Sequence, residues 1–217
     1  MGADVEVLQA FHRAPLKTLR PMDLIDLTSH PRRVVDRLES RGAVTRVAHG
    51  LYTVPPDGQD GREWRPEVEA AAMAVATARF GQRRAILMGI GAARHWKATP
   101  RAISDTVVAV PVGGRSVITL AHGGRAHFIH RDLGRLDAVL ERLELGDALV
   151  TTREQTLLDL LARPAQGGHE AEARAAAIHL RNAVDPEAIA RLMQTTPTRI
   201  SDRIRRALFD DPGAGAR

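Results

Sequence analysis

The chain of 217 residues has no cysteine. Disulfides, thiolate nucleophiles, zinc ribbons and iron–sulfur clusters are therefore excluded. Aromatic residues make up only 3%, so a core must be built from Ala, Val, Leu and Ile, for which the 44% apolar content suffices. Lysine is nearly missing: of 31 Lys and Arg residues, only Lys17 and Lys97 are lysines. No stretch approaches the roughly 20 apolar residues of a membrane-crossing helix. Asp4 and Glu6 near the N-terminus do not fit a secretory leader. The expectation is a cytoplasmic protein.

What is present is arginine, with a net charge of +5. Guanidinium groups fork onto phosphates and guanine edges, so this balance leans towards nucleic acid. A GC-rich genome also favours arginine codons, so the placement of the arginines says more than their number.

Their placement is informative in the first 56 residues. Val7, Leu8 and Phe11 share one helical face, and Pro15 ends that helix. Pro21 is expected to open a second helix with Met22, Leu24, Ile25 and Leu27 apolar. Thr28 and Ser29 read as turn and N-cap, and Pro31 as the first turn of a third helix. There Val34, Val35 and Leu38 form the buried stripe, Arg33, Asp36 and Ser40 face outward, and Arg32 and Arg37 flank them. Gly42 fits the position just past the helix end. Residues 43–47 and 51–54 alternate as strands around Ala48-His49-Gly50, a tight hairpin. Three helices followed by a two-stranded wing is the order of a winged helix-turn-helix, which places its third helix in the major groove. The expected contacts are Ser29, His30, Arg32, Arg33 and Arg37 on that helix, Arg46 and His49 on the wing, and Lys17 and Arg20 on phosphates.

Pro55-Pro56-Asp57-Gly58-Gln59-Asp60-Gly61 reads as a linker. The expected units are 1–56, a larger α+β unit over 62–210, and a disordered tail over 211–217. In the larger unit Pro66 opens a nearly all-apolar helix to about Phe80. Gly89-x-Gly91 after an apolar run invites a dinucleotide reading, but Arg94 stands where the third glycine belongs, so a small-residue helix start is read instead. Thr106–Val110, Ser116–Leu120 and Ala126–His130 read as a β-meander. His127 and His130 fall on opposite faces of one strand, so they do not share a metal ion. The spacing of Leu133, Leu136, Val139, Leu140 and Leu143 predicts a helix, and Thr152 with Gln155 a capping box. Asp159 reads as a surface or loop-capping carboxylate. Ala-rich residues to about Ala183, a segment from Asp185 and one after Pro197 give three more helices. The last has Ile200, Ile204 and Leu208 as its stripe and Arg199, Arg203, Arg205 and Arg206 outside it, for a second phosphate contact, a partner surface or plain solvated charge.

The segment from Leu38 to Pro55, Leu-Glu-Ser-Arg-Gly-Ala-Val-Thr-Arg-Val-Ala-His-Gly-Leu-Tyr-Thr-Val-Pro, resembles the wing region of AbiEi-family antitoxins of bacterial type IV toxin–antitoxin systems. Thr151-Thr-Arg-Glu-Gln-Thr-Leu-Leu-Asp-Leu160 resembles that family's second signature. The resemblance covers about residues 3–164. It implies a repressor of its own operon, bound to promoter repeats in double-stranded DNA, whose C-terminal part counteracts a nucleotidyltransferase-like toxin. No nucleophile–base or paired-carboxylate constellation is readable, so no enzyme, cofactor or metal is expected. The alternative is a winged-helix regulator whose larger part senses a small ligand, since an apolar pocket leaves no sequence signature.

Overall fold

The computed structural model describes residues 2–99, 103–113, 116–195 and 198–209. The fold is α+β, with eight α-helices and two sheets among the described residues.

Helix α1 (Gly2–Arg13) buries Val7 and Phe11 completely. After strand β1 (Thr18–Leu19) the chain departs from expectation: the helix predicted after Pro21 is a single 3-10 turn, Pro21–Leu24. Asp23 closes that turn, accepting the Arg20 backbone N–H at 2.8 Å and the Arg20 guanidinium at 2.9 Å. One turn offers one inward position, which Leu24 takes; Met22, Ile25 and Leu27 remain exposed. Helix α2 (Pro31–Ser40) is capped by His30 rather than Ser29. A residue before proline is pushed out of the helical region, and His30 accordingly sits at φ −131°. The Thr28 hydroxyl accepts the His30 N–H at 3.3 Å. At the other end Gly42, at φ +72°, lets its own N–H reach Glu39 O (3.0 Å) and the Ala43 N–H reach Leu38 O (2.9 Å). This is a Schellman closure.

Strands β2 (Thr45–Ala48) and β3 (Leu51–Thr53) form the expected hairpin, and β1 joins the free edge of β3. The segment 55–61 then doubles back: Gly61 N–H donates to Gly42 O at 2.8 Å, and Asp60, held by Arg62, covers Gly42. Apolar burial continues across this segment. Val7, Phe11, Leu24, Val34, Val35, Leu38 and Tyr52 form one cluster. Leu16, Val47, Ala48 and Leu51 belong to a second cluster with Trp64 and α3 (Val68–Phe80).

The second sheet has the order β6-β7-β5-β4-β9-β8, with β4 (Ile86–Met88), β5 (Asp105–Val110), β6 (Ser116–Thr119) and β7 (Arg125–His130). It corrects the expected meander. The three strands lie where predicted, but β7 pairs parallel to β5, and β6 folds back antiparallel outside it. Every residue of β5 is buried, so it belongs inside the sheet, whereas β6 alternates in exposure and suits the edge. The predicted helix over 133–143 is also corrected. A 3-10 turn, Leu133–Arg135, precedes β8 (Ala138–Leu143), which forms a hairpin with β9 (Gly146–Thr151). Leucine spacing alone suggested a helix; pairing along the otherwise open edge of β9 prevails.

Helix α3 covers one face of this sheet. The other face is covered by α4 (Gly89–His95), α5 (Arg153–Ala162) and α6 (Glu170–Arg181). Gly91 packs directly on β5: a Cβ there would meet the Thr106 side chain, so this glycine serves packing. Helices α7 (Pro186–Thr195) and α8 (Thr198–Phe209) back α5 from outside, with Ile204 buried. The Leu208 side chain and the expected tail, 211–217, lie outside the described residues.

Helix α5 is capped as expected, with Thr152 Oγ1 accepting the Gln155 N–H at 3.2 Å. The Gln155 side chain turns instead to Asp159, donating to Oδ1 at 3.2 Å. Asp159 is not the surface carboxylate expected; it is buried, and its Oδ2 has no hydrogen-bond partner. Burial pushes its carboxyl up to about 7, against the Gln155 hydrogen bond and the charges of Arg131 and Arg163. A raised acid favours the fold while protonated, so this stability is full below pH 3.8 and lost as pH rises to about 7. Over that window the loss is on the order of 4 kcal/mol. Asp159→Asn is expected to gain stability over the parent at pH 8 and to remove most of this pH dependence in urea melts at pH 5 and pH 8. A parallel pH dependence in both proteins contradicts the assignment.

Candidate nucleic-acid interface

The stripe Val34-Val35-Leu38 anchors α2, so its orientation is set by the core and its other face is presented to solvent. Arg32 and Arg33 lie in its first turn and are exposed. Directly beside them stand the 3-10 turn at Pro21–Leu24 and the hairpin turn at His49-Gly50. Together they enclose an open groove of about 700 Å³, where Arg20, His30, Arg32, Arg33 and His49 meet the apolar side chains of Met22 and Ile25. Met22 and Ile25 are 63% and 66% exposed, the most exposed large apolar side chains in the described chain. The sequence predicts a helix over both, and nothing local distinguishes that helix from the short turn actually formed.

The other expected contacts are held elsewhere. Arg37 is hydrogen-bonded to Asp4 of α1, and Arg41 lies 3.5 Å from the same carboxylate. The Arg37 hydrogen bond holds the Asp4 carboxyl below its usual range. Arg46 pairs with Glu39 at 3.3 Å and stacks 5.3 Å above the Tyr52 ring. Lys17 is half-buried at φ +50°, its carbonyl accepting the Thr53 hydroxyl at 2.9 Å. Ser29 is exposed but does not line the groove. Arg20 lines it while paired with Asp23, whose carboxyl burial would raise but the Arg20 hydrogen bonds lower. Asp4, Asp23 and Glu39 thus decide which guanidinium groups are already engaged.

The hairpin is braced from the larger sheet. Ala121 N–H donates to Val47 O at 2.9 Å, and His122 Nε2 lies 3.1 Å from Thr45 Oγ1. Burial, together with the nearby Arg65 charge, pushes His122 below its ordinary value. The free edge of β2 is therefore covered, and the hairpin turn is fixed relative to β6 and β7.

No known protein family matches the chain by sequence, and no curated protein does. Solved structures resemble it in fold. The RV2827C protein of Mycobacterium tuberculosis is similar in fold at a TM-score of 0.61 and 20% identity, over 96% of this chain and 76% of that one. An antigenic nucleotidyltransferase-like protein of Paracoccidioides brasiliensis aligns at a TM-score of 0.41 and 13% identity, over 67% of this chain and 97% of that one. At these identities the likeness concerns fold alone, and the second carries no argument.

In the C-terminal helices Arg203 donates to Ala162 O at 2.9 Å, Arg205 lies 3.9 Å from Asp202, Arg206 donates to Asp202 O at 3.3 Å, and Arg199 is exposed. One cluster escaped the sequence reading entirely: buried Asp105 on β5 gathers Arg125 (2.6 Å), His169 (3.3 Å) and His127 (3.5 Å). Register brings Asp105 opposite Arg125, twenty residues away, and no local pattern announces that pairing.

Two glycines, one just past the end of α2 and one in the hairpin turn, differ in surroundings. Both have left-handed φ, but a Cβ on Gly42 would collide with the Asp60 carboxylate, while one on Gly50 meets nothing within 4 Å. Gly50→Ala is expected to cost about 1 kcal/mol and Gly42→Ala clearly more, by urea denaturation. Equal losses would contradict the covering role of Asp60.

Proposed function

We propose that the chain is a DNA-binding repressor whose N-terminal 56 residues act as a winged helix-turn-helix. The observation that carries this reading is the convergence of Arg32 and Arg33, at the start of a core-anchored helix, with His49 on a braced hairpin turn, around one cationic groove. A helix N-terminus bearing unpaired arginines suits base edges, and a flanking hairpin suits the phosphate backbone. Arg32 and Arg33 are the base-reading candidates, His30 and Arg20 the backbone contacts, and His49 the wing contact. Arg37 and Arg46, tied to Asp4 and Glu39, position α2 and β2 instead.

The resemblance of Leu38–Pro55 and Thr151–Leu160 to AbiEi-family antitoxins extends the proposal: the repressor controls its own operon, and the larger part counteracts a nucleotidyltransferase-like toxin. That second role rests on the resemblance alone.

Gel shifts on the chain's own upstream promoter test the first role. Arg33→Ala is expected to weaken binding by about 1–3 kcal/mol with relaxed sequence preference, and Arg20→Ala to weaken all sequences alike and flatten the salt slope. Unchanged binding by an Arg32→Ala, Arg33→Ala double variant rejects the interface. For the second role, co-expression with a toxin encoded beside the gene is expected to restore growth; growth arrest despite soluble, full-length protein removes the antitoxin reading.

A further inference from the structure

A second cavity, of about 770 Å³, lies on the far side of the larger sheet, between β6–β7 and the turn joining α5 to α6. Its size falls in the range of small-molecule sites, on the order of 300–1,000 Å³. Three arginines line it: Arg163 just past the end of α5, Arg174 from α6 and Arg203 from α8. Among the described residues, no carboxylate does. Glu170 holds Arg174 from outside the lining, through Nε at 3.2 Å and Nη2 at 2.6 Å. Arg203 is steadied by its 2.9 Å bond to Ala162 O.

His127 of β7 also lines the cavity, but its Nε2 lies 3.5 Å from Asp105 Oδ2 and is turned to that carboxylate. Like charges gathered in one cavity repel, and an anion with several acceptor oxygens relieves that repulsion. Planar guanidinium forks match phosphate oxygens in particular.

We propose that this cavity binds a small phosphate-bearing molecule, held by Arg163, Arg174 and Arg203. It is separate from the groove of α2 and the hairpin, and does not depend on DNA binding. It also gives Arg203 a role that the charge pattern of α8 left open.

The test is isothermal titration of the full chain at constant ionic strength with inorganic phosphate, inorganic pyrophosphate and ATP, with sodium chloride as control. Saturable binding of one molecule per chain is expected for pyrophosphate or ATP. Equal affinity for the two assigns the site to the phosphates alone, and tighter ATP binding assigns it to a nucleotide; both support the proposal. Arg163→Gln and Arg174→Gln are each expected to weaken binding tenfold or more. Ala165→Glu, at an exposed position on the cavity wall, places a carboxylate among the arginines without disturbing the core and is expected to abolish binding with an unchanged melting temperature. Arg32→Ala is expected to leave it intact. Absence of saturable binding for all three probes overturns the proposal. So does binding that survives Ala165→Glu, or binding lost in Arg32→Ala.

Discussion

Strand β3 is three residues long and buried on both faces. Leu51 enters the cluster beneath α3, while Tyr52 enters the cluster of α1 and α2. A sheet of such short strands is not stable alone. Its stability comes from lying between two apolar layers, and that constraint orders much of the molecule. It explains why Leu16 accepts a left-handed backbone, φ +51°, to reach the larger core, and why residues 55–61 fold back on Gly42 instead of running free. It also explains why Val47 serves two purposes. Its side chain is buried in the larger cluster, and its carbonyl receives the Ala121 N–H from the β6–β7 turn.

The cationic groove inherits its geometry from this arrangement. Helix α2 is fixed by its apolar stripe and its Schellman closure, the hairpin by the two sheets. Carboxylates then edit the arginines. Exposed ion pairs such as Arg46–Glu39 contribute little stability, typically about 0–1 kcal/mol. Their effect is directional: they hold guanidinium groups against the protein and leave Arg32 and Arg33 presented beside Met22 and Ile25. The second cavity follows a different logic. Its arginines come from three helices, and the turn at Gly167-Gly168 that brings them together passes so close to β5 that a Cβ on Gly167 would lie 2.9 Å from Val107.

Much of the local structure was legible. The helix start at Pro31, the closure at Gly42 and the cap at Thr152 are side-chain or backbone effects within five residues, and the structure shows a helix end at each. The strands of residues 105–130 were found because β-branched runs between glycines are a local signal. Where reading failed, a distant partner outweighed local pattern. Leucines at helical spacing over 133–143 became an edge strand because β9 offered backbone hydrogen bonds. Met22, Ile25 and Leu27 stayed exposed because the Arg20–Asp23 bond closed the chain into one turn. Asp159 read as exposed because nothing in α5 itself announces that α8 packs over it.

By itself, the sequence determined the C-terminal end of α2, the start of α5, the apolar stripe of α2 and the exclusion of thiol chemistry, since each depends on neighbours along the chain. Only the tertiary structure decided the parallel pairing of β5 with β7, the brace between Ala121 and Val47, which arginines meet carboxylates, and the existence of two separate cationic cavities. These depend on residues tens of positions apart. Such residues become neighbours only once the two-sided burial of β3 and β5 has set where each layer lies.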